Sequence, residues 1–103
     1  MTAPKALTEE MIFQKARTDN FALIKKLNMC AMGLDSVELL REMPQLEVLS
    51  CSVNNLRNLK GLQNCQNLKE LYLRKNQIKE FGDLKILGSL KKLRILTLAE
   101  NPL

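Results

Sequence analysis

A short motif of fixed spacing constrains this chain of 103 residues more than any other feature. The segment 68–78 reads LKELYLRKNQI, with apolar residues at its first, fourth, sixth and last positions and an asparagine at its ninth. Leu71 and Leu73 alternate with polar neighbours, which is typical of a short strand with one buried face. Asn76 follows in a predicted turn, where its amide can satisfy backbone groups that point inward. Because an unpaired buried polar group costs about 1–3 kcal/mol, we expect this asparagine to be fully hydrogen-bonded.

The same spacing recurs three more times along the chain. The copy before this segment consists of Leu46, Leu49, Cys51, Asn54 and Leu56. The copy after it consists of Leu93, Leu96, Leu98, Asn101 and Leu103. A weaker first copy consists of Ile24, Leu27, Met29, Met32 and Leu34, with methionine at the asparagine position. Four copies in register indicate a repeat protein, whose first unit is commonly atypical because it also caps the stack.

The repeated pattern matches the leucine-rich-repeat signature and predicts an α/β solenoid. Short parallel strands are expected on the concave face, with 3₁₀ turns or short helices on the convex face. Between strands the apolar residues change to a spacing of three, which suits a turn of 3₁₀ helix buried on one side. The third repeat carries one extra apolar residue and three extra residues in all, so an additional helical turn is expected there.

The pattern divides the chain into three parts. Residues 1–7 contain a proline and no periodicity and are expected to form a disordered tail. Residues 8–23 have helical spacing, with Thr8 as a capping residue, and are predicted to form a helical N-terminal cap over the first repeat. A helix that binds a partner is the alternative for this segment. Residues 24–103 hold four repeats, the last incomplete, so we expect an uncapped C-terminal end and a fragment of a longer protein. The alternative is that a partner or a second copy covers the open end.

Composition argues against catalysis and against bound cofactors. The chain contains no histidine, which removes the usual general base, and no nucleotide-binding or nucleophile motif is present. Cys30, Cys51 and Cys65 are widely spaced and are predicted to be reduced thiols of an intracellular protein, without a metal. No apolar run is long enough to span a membrane, and no secretion leader is evident. The net charge of +5 is spread along the chain without interleaved aromatics, which disfavours nucleic acid as a partner.

The strands are predicted to display a grid of outward-facing side chains, here called the strand grid. Its rows are Lys26, Val48, Glu70 and Ile95; Asn28, Ser50, Tyr72 and Thr97; and Cys30, Ser52, Arg74 and Ala99. The residues predicted to bind a partner protein are Val48, Ser50, Glu70, Tyr72, Arg74, Ile95 and Thr97. Tyr72 is the single tyrosine of the chain and lies at the centre of the grid, with Arg74 on the same face. An aromatic residue, an arginine and flanking aliphatic residues form a plausible binding hot spot. The alternative is that Tyr72 only covers neighbouring strands. Asn54, Asn76 and Asn101 are predicted to be structural.

Several segments also resemble a known family. The repeats resemble the SDS22-like class of leucine-rich repeats. More specifically, the segments 41–48 (REMPQLEV), 52–54 (SVN), 70–76 (ELYLRKN) and 93–102 (LRILTLAENP) are similar to the N-terminal domain of the cilia- and flagella-associated protein 410 family. This resemblance implies a non-catalytic scaffold of the cilium, flagellum or basal body, in the cytoplasm or on the cytoskeleton. It also implies a NIMA-related kinase as a partner, mainly through a C-terminal part that this sequence does not contain.

Two other functions are compatible with the same fold. The concave face could hold an enzyme such as a protein phosphatase, in which case the chain is a regulatory subunit. It could instead belong to a ribonucleoprotein, for which nucleic-acid binding should depend steeply on salt.

Overall fold

Four parallel strands, one from each repeat, form the sheet on which the molecule is built. The computed structural model describes residues 5–103, apart from the side chain of Phe81. The strands are β1 Lys26–Asn28, β2 Val48–Ser50, β3 Glu70–Tyr72 and β4 Ile95–Thr97, and they lie side by side in chain order. The other elements are helix α1 (Glu9–Ala16), helix α2 (Phe81–Gly88) and three 3₁₀ turns at Phe21–Leu23, Glu38–Glu42 and Leu62–Asn64. The predicted solenoid of short strands and short helices is therefore confirmed.

The register of the sheet follows the repeat spacing. Leu27 pairs with Leu49, Leu49 with Leu71, and Leu71 with Leu96, so equivalent leucines stand side by side. The first three of these leucines point into the core. The remaining core consists mainly of the other template residues, including Leu46, Leu56, Leu68, Leu73 and Ile78. Because each unit buries its apolar residues against the next, the core is one continuous column along the stack.

The connections behind the sheet differ in length as predicted. The first two repeats return through the 3₁₀ turns Glu38–Glu42 and Leu62–Asn64. The third, longer repeat returns through the eight-residue helix α2. The extra helical turn expected from its three extra residues is therefore present. The two 3₁₀ turns pack so closely that a Cβ atom added at Gly61 would lie 2.8 Å from the carbonyl oxygen of Glu38. Only glycine therefore fits at this position.

The segment before the first strand packs onto the first repeat. The hydroxyl of Thr8 accepts a hydrogen bond from the amide of Met11 at 3.2 Å, which caps helix α1. Ile12 on the inner side of α1 is fully buried in the core. The amide of Gln45 donates to the carbonyl oxygens of Phe21 and Ile24, which fastens the following 3₁₀ turn. These contacts are those expected of an N-terminal cap.

Part of the predicted disordered tail is ordered. Ala6 forms a parallel bridge with Ser36, and the amide of Leu7 donates to the carbonyl oxygen of Ser36 at 2.9 Å. Leu7 is also buried in the core. The prediction of disorder is wrong for residues 5–7, because backbone pairing and one buried leucine order a segment that lacks any periodicity. Residues 1–4 lie outside the part of the chain that the structure describes.

Strand β4 has a neighbouring strand on one side only within residues 5–103. Its central residue, Leu96, is 39% exposed, whereas Leu71 at the equivalent position of β3 is fully buried. Leu103 is also exposed, although its equivalent Ile78 is buried. The template leucines of the last repeat thus form an open apolar end of the described stack.

Candidate protein-binding face

The turn after each strand is held by an asparagine ladder, which consists of Asn54, Asn76 and Asn101. The Oδ1 atom of Asn54 accepts hydrogen bonds from the amides of Met32 and Leu34, both at 3.0 Å. Its Nδ2 atom donates to the carbonyl oxygens of Met29 at 2.9 Å and Cys51 at 2.8 Å. One side chain therefore joins its own repeat to the preceding one.

The other two asparagines repeat this arrangement. Asn76 accepts from the amide of Leu56 at 3.0 Å and donates to the carbonyl oxygens of Cys51 and Leu73. Asn101 accepts from the amide of Ile78 at 3.1 Å and likewise donates to Leu73. Asn54 and Asn76 are buried and Asn101 is half-buried, so these amides face the interior of the stack and fix the frame that carries the grid.

The register brings the predicted rows of the strand grid together. Val48 pairs with Glu70, and Glu70 pairs with Ile95, which forms the first row. Ser50 pairs with Tyr72, and Tyr72 with Thr97, which forms the second row. The third row continues in register, since the amide of Lys75 donates to the carbonyl oxygen of Ala99.

Tyr72 is held in place by its neighbour along the strand. Its hydroxyl donates to the Oε1 atom of Glu70 at 2.6 Å, and its side chain is half-buried. This hydrogen bond, with smaller contributions from burial and from the negative charge of Glu70, raises the pKa of Tyr72 above its ordinary value. The ring at the centre of the grid is thus held in one orientation by a residue of its own strand.

Arg74 is directed away from Tyr72 towards the last repeat. Its guanidinium lies 3.1 Å from the Oε1 atom of Glu100, and both side chains are about half exposed. An exposed ion pair of this kind contributes only about 0.2–1 kcal/mol. Arg74 can therefore exchange Glu100 for an acidic group of a partner at small cost.

Apart from Glu70 and Arg74, the grid residues around Tyr72 are small or aliphatic. Val48 and Ser50 are half-buried, and the hydroxyl of Ser50 lies 2.9 Å from the sulfur of Cys30. Ile95 is 40% exposed, although it belongs to a strand. The hydroxyl oxygen of Thr97 is buried without a hydrogen-bond partner in the described part of the chain. The centre of the grid is thus a shallow, mostly uncharged surface around one aromatic ring.

A charged row beside the grid was not predicted from the sequence. Glu47, which precedes β2, lies 3.4 Å from the ammonium group of Lys25 and 3.1 Å from that of Lys69. The hydrogen bond and positive charge of Lys69 hold the pKa of Glu47 below its ordinary value. All three residues directly precede the first residue of a strand. Comparing that position between repeats would have revealed the alternating charges.

Two of the three cysteines are buried thiols. Burial raises the pKa of the Cys51 thiol to about 12 and that of Cys65 to about 11, so both remain protonated at neutral pH. Both are buried free thiols, and Cys30 is a half-buried one. Among residues 5–103, no helix is both long and apolar enough to cross a membrane.

Comparison with known proteins agrees with this architecture. A family model described as leucine-rich repeats (2 copies) matches residues 44–86 and 66–103. The chain belongs to the leucine-rich-repeat family. Among solved structures, a crystal structure of the SNF/U2A′ complex of Drosophila melanogaster superposes with a TM-score of 0.65 and 25% identity. That match covers 96% of this chain and 71% of the other.

Two curated relatives extend the similarity over nearly the whole chain. The cilia- and flagella-associated protein 410 of Homo sapiens is 41% identical over 96 residues, which is 93% of this chain and 38% of that protein. The protein of the same name from Mus musculus is also 41% identical over 96 residues, which is 39% of its length. The chain therefore spans about two fifths of the length of these relatives.

Proposed function

We propose that this leucine-rich-repeat domain is a non-catalytic module that binds a protein through the strand grid and serves cilium or flagellum assembly. The observation that carries the proposal is the partly exposed grid centred on Tyr72. A tyrosine surrounded by small and aliphatic residues, with an arginine nearby, has the composition of a binding hot spot. The fixed asparagine ladder below it supplies a rigid frame.

The ciliary part of the proposal rests on sequence similarity. The two relatives named for cilia and flagella are 41% identical to the chain across almost all of its length. We extend the proposal to a scaffold role at the basal body or the ciliary cytoskeleton. That a NIMA-related kinase is a partner remains a prediction from the family resemblance. It concerns mainly the C-terminal part of the family's proteins, which this sequence does not contain.

The experiment is quantitative affinity capture from ciliated cells with three forms of the domain. Tyr72→Arg removes the central ring of the grid, and Gln77→Arg introduces the same residue at an exposed position outside the grid. Circular dichroism establishes that all three forms fold. The proposal predicts that ciliary proteins captured by the wild type are retained by Gln77→Arg and lost by Tyr72→Arg. Equal capture by both variants would contradict a binding role for the grid.

A second candidate function is a protein-binding subunit of a ribonucleoprotein. The structural match to the SNF/U2A′ complex, which covers 96% of the chain, favours it. In that case the same capture experiment recovers ribonucleoprotein subunits in place of ciliary proteins. The loss with Tyr72→Arg is still expected, because both functions use the same face.

A further inference from the structure

The N-terminal segment contains a groove that the strand grid does not use. It is lined by Phe13 of helix α1, Phe21 of the following turn, and the carboxylates of Glu9, Glu10 and Asp19. Its volume is about 350 Å³. This lies near the lower end of the range for ligand pockets, roughly 300–1,000 Å³. A groove of this size suits one or two side chains of a partner rather than a folded domain.

The two phenylalanines are the first observation that points to a ligand. Two of the three phenylalanines of the chain line this groove, and one of them, Phe21, is half-buried and also packs against the core. Phe13 is 49% exposed, whereas its neighbour Ile12 is fully buried and holds α1 to the first repeat. Since Ile12 already supplies the packing, the fold does not require an aromatic ring at position 13. A large apolar side chain left exposed in a concavity, beside a second aromatic ring, is typical of a binding site.

The charge of the lining is the second observation, and it is independent of the first. The protein as a whole carries a net charge of +5, yet the charged residues among 5–103 that line the groove are all acidic. None of Glu9, Glu10 and Asp19 forms an ion pair within residues 5–103. The carboxylates repel phosphate groups, which argues against nucleic acid or an anionic membrane as the occupant.

We infer that this groove docks a basic segment of a partner protein by receiving an arginine or lysine side chain between the phenylalanines and the carboxylates. An arginine has the required chemistry at both ends. Its aliphatic stem covers apolar surface and its planar cation stacks on an aromatic ring, while the acidic rim neutralises its charge. This site shares no residue with the strand grid, because the five lining residues that the structure describes all precede β1 in the sequence.

The test uses a fluorescein-labelled peptide of alternating arginine and leucine, and a matched peptide with citrulline in place of each arginine. Citrulline keeps the shape of arginine and removes its charge. Binding is followed by fluorescence anisotropy, and the site is located from amide chemical-shift changes in the wild-type protein. The expected result is binding of the arginine peptide at least about tenfold tighter than the citrulline peptide, because a charge-assisted contact is lost. The shift changes should centre on residues 9–21.

Two groove variants and two control variants test whether the peptide binds in this groove. Phe13→Ala removes the exposed ring, and Glu10→Gln with Asp19→Asn removes two charges from the rim. Each should weaken binding of the arginine peptide by about fivefold or more, as expected for a hot-spot contact. The matched control, Glu38→Gln with Glu42→Gln, removes two exposed charges elsewhere and should leave the affinity within about twofold. Tyr72→Arg should also leave it unchanged, which separates this site from the proposed function.

Four results would overturn the inference. These are equal affinity for the two peptides, shift changes centred on the strand grid, and equal weakening by the groove variants and the control pair. The fourth is self-association in sedimentation experiments that Phe13→Ala abolishes, because the occupant is then a second copy of this chain. The shift mapping needs no variant, so it decides the matter even where a substitution perturbs folding.

Discussion

At the scale of single residues, Asn76 shows how one side chain joins two repeats. Its amide satisfies the backbone at Leu56 and Cys51 in the preceding repeat and at Leu73 in its own. The spacing of the motif was enough to predict this role, because an asparagine at a fixed place after a short strand has few other uses. The half-burial of Cys30, by contrast, depends on its contact with Ser50 across the sheet, which spacing alone does not reveal.

Replacing Asn76 should damage stability far more than replacing an exposed asparagine. Asn76→Ala leaves one buried amide and two carbonyl oxygens without this partner, so we expect a loss of about 2–4 kcal/mol in the free energy of unfolding. Asn64→Ala, at an exposed position without a side-chain hydrogen bond in the described chain, should cost less than about 0.5 kcal/mol. Urea denaturation measures both. Equal losses would show that Asn76 does not hold the repeats together.

The Tyr72–Glu70 contact predicts a pH effect that spectroscopy can isolate. The chain has one tyrosine and no tryptophan, so the ultraviolet absorbance of tyrosinate reports Tyr72 alone. Tyr72 should titrate above its ordinary pKa of 10.0, and Glu70→Gln should move the titration back towards that value. The control Glu38→Gln should not change it. A wild-type titration at the ordinary pKa would contradict the hydrogen bond.

The same contact has a defined sign in its effect on stability. Because folding raises the pKa of Tyr72, the folded state favours the protonated phenol. The resulting stabilisation is complete below the unfolded pKa of 10.0 and is lost as the pH rises through the folded pKa. When the pH is raised through this range, the free energy of unfolding should therefore fall less in Glu70→Gln than in the wild type.

At the scale of elements, each repeat combines a strand with a return segment. The alternation of apolar and polar residues determines the strand, and the length of the return segment determines whether it forms a 3₁₀ turn or a helix. Three extra residues convert the 3₁₀ turn of the first two repeats into helix α2 of the third. Sequence spacing predicted this extension because apolar residues recur on one side of the returning segment. It did not predict the left-handed residue before each ladder asparagine and before the equivalent Met32. These residues are Ala31, Val53, Lys75 and Glu100. None of these four is a glycine or asparagine, so the usual signal for positive φ is missing.

Replacing Gly61 and Gly82 by alanine should change the stability of the domain in opposite directions, because only Gly61 lies against a neighbouring return segment. Gly61 has a φ of 102°, and a Cβ atom there would lie 2.8 Å from the carbonyl oxygen of Glu38, so Gly61→Ala should cost about 2–3 kcal/mol. Gly82 lies in helix α2, where a Cβ atom would meet no other atom within 4 Å, so Gly82→Ala should stabilise by about 0.5 kcal/mol. Thermal unfolding followed by circular dichroism measures both. Similar effects of the two substitutions would contradict the packing of Gly61 against the neighbouring turn.

At the scale of the whole molecule, stability is distributed unevenly along the stack. Equivalent leucines are fully buried in the second and third repeats and partly exposed in the last.

The sequence predicted the number of repeats, their register and the positions of the strand grid, because each unit repeats the same constraints. The order of residues 5–7 was missed, because a single bridge to Ser36 leaves no periodic signal. The groove at Phe13 was also missed, since it depends on how α1 and the next turn come together.

Because their burial differs, equivalent leucines should contribute different amounts to the free energy of unfolding, according to the repeat in which they lie. Leu71→Ala opens a cavity between repeats and should cost about 2–5 kcal/mol. Leu96→Ala, at the equivalent but 39% exposed position of β4, should cost no more than about 1.5 kcal/mol. The pair is compared by urea denaturation of the same domain. Equal costs would show that β4 is as well packed as β3.

The most direct test of the central claim is photo-crosslinking from the middle of the strand grid. A photoreactive phenylalanine analogue replaces Tyr72 in one form of the domain and Gln77 in the other, and both are expressed in ciliated cells. If the grid binds a partner protein, the analogue at position 72 forms a crosslink to a discrete ciliary protein and the analogue at position 77 does not. Crosslinks from position 77 alone, or none from position 72 in folded protein, would contradict a binding role for the grid.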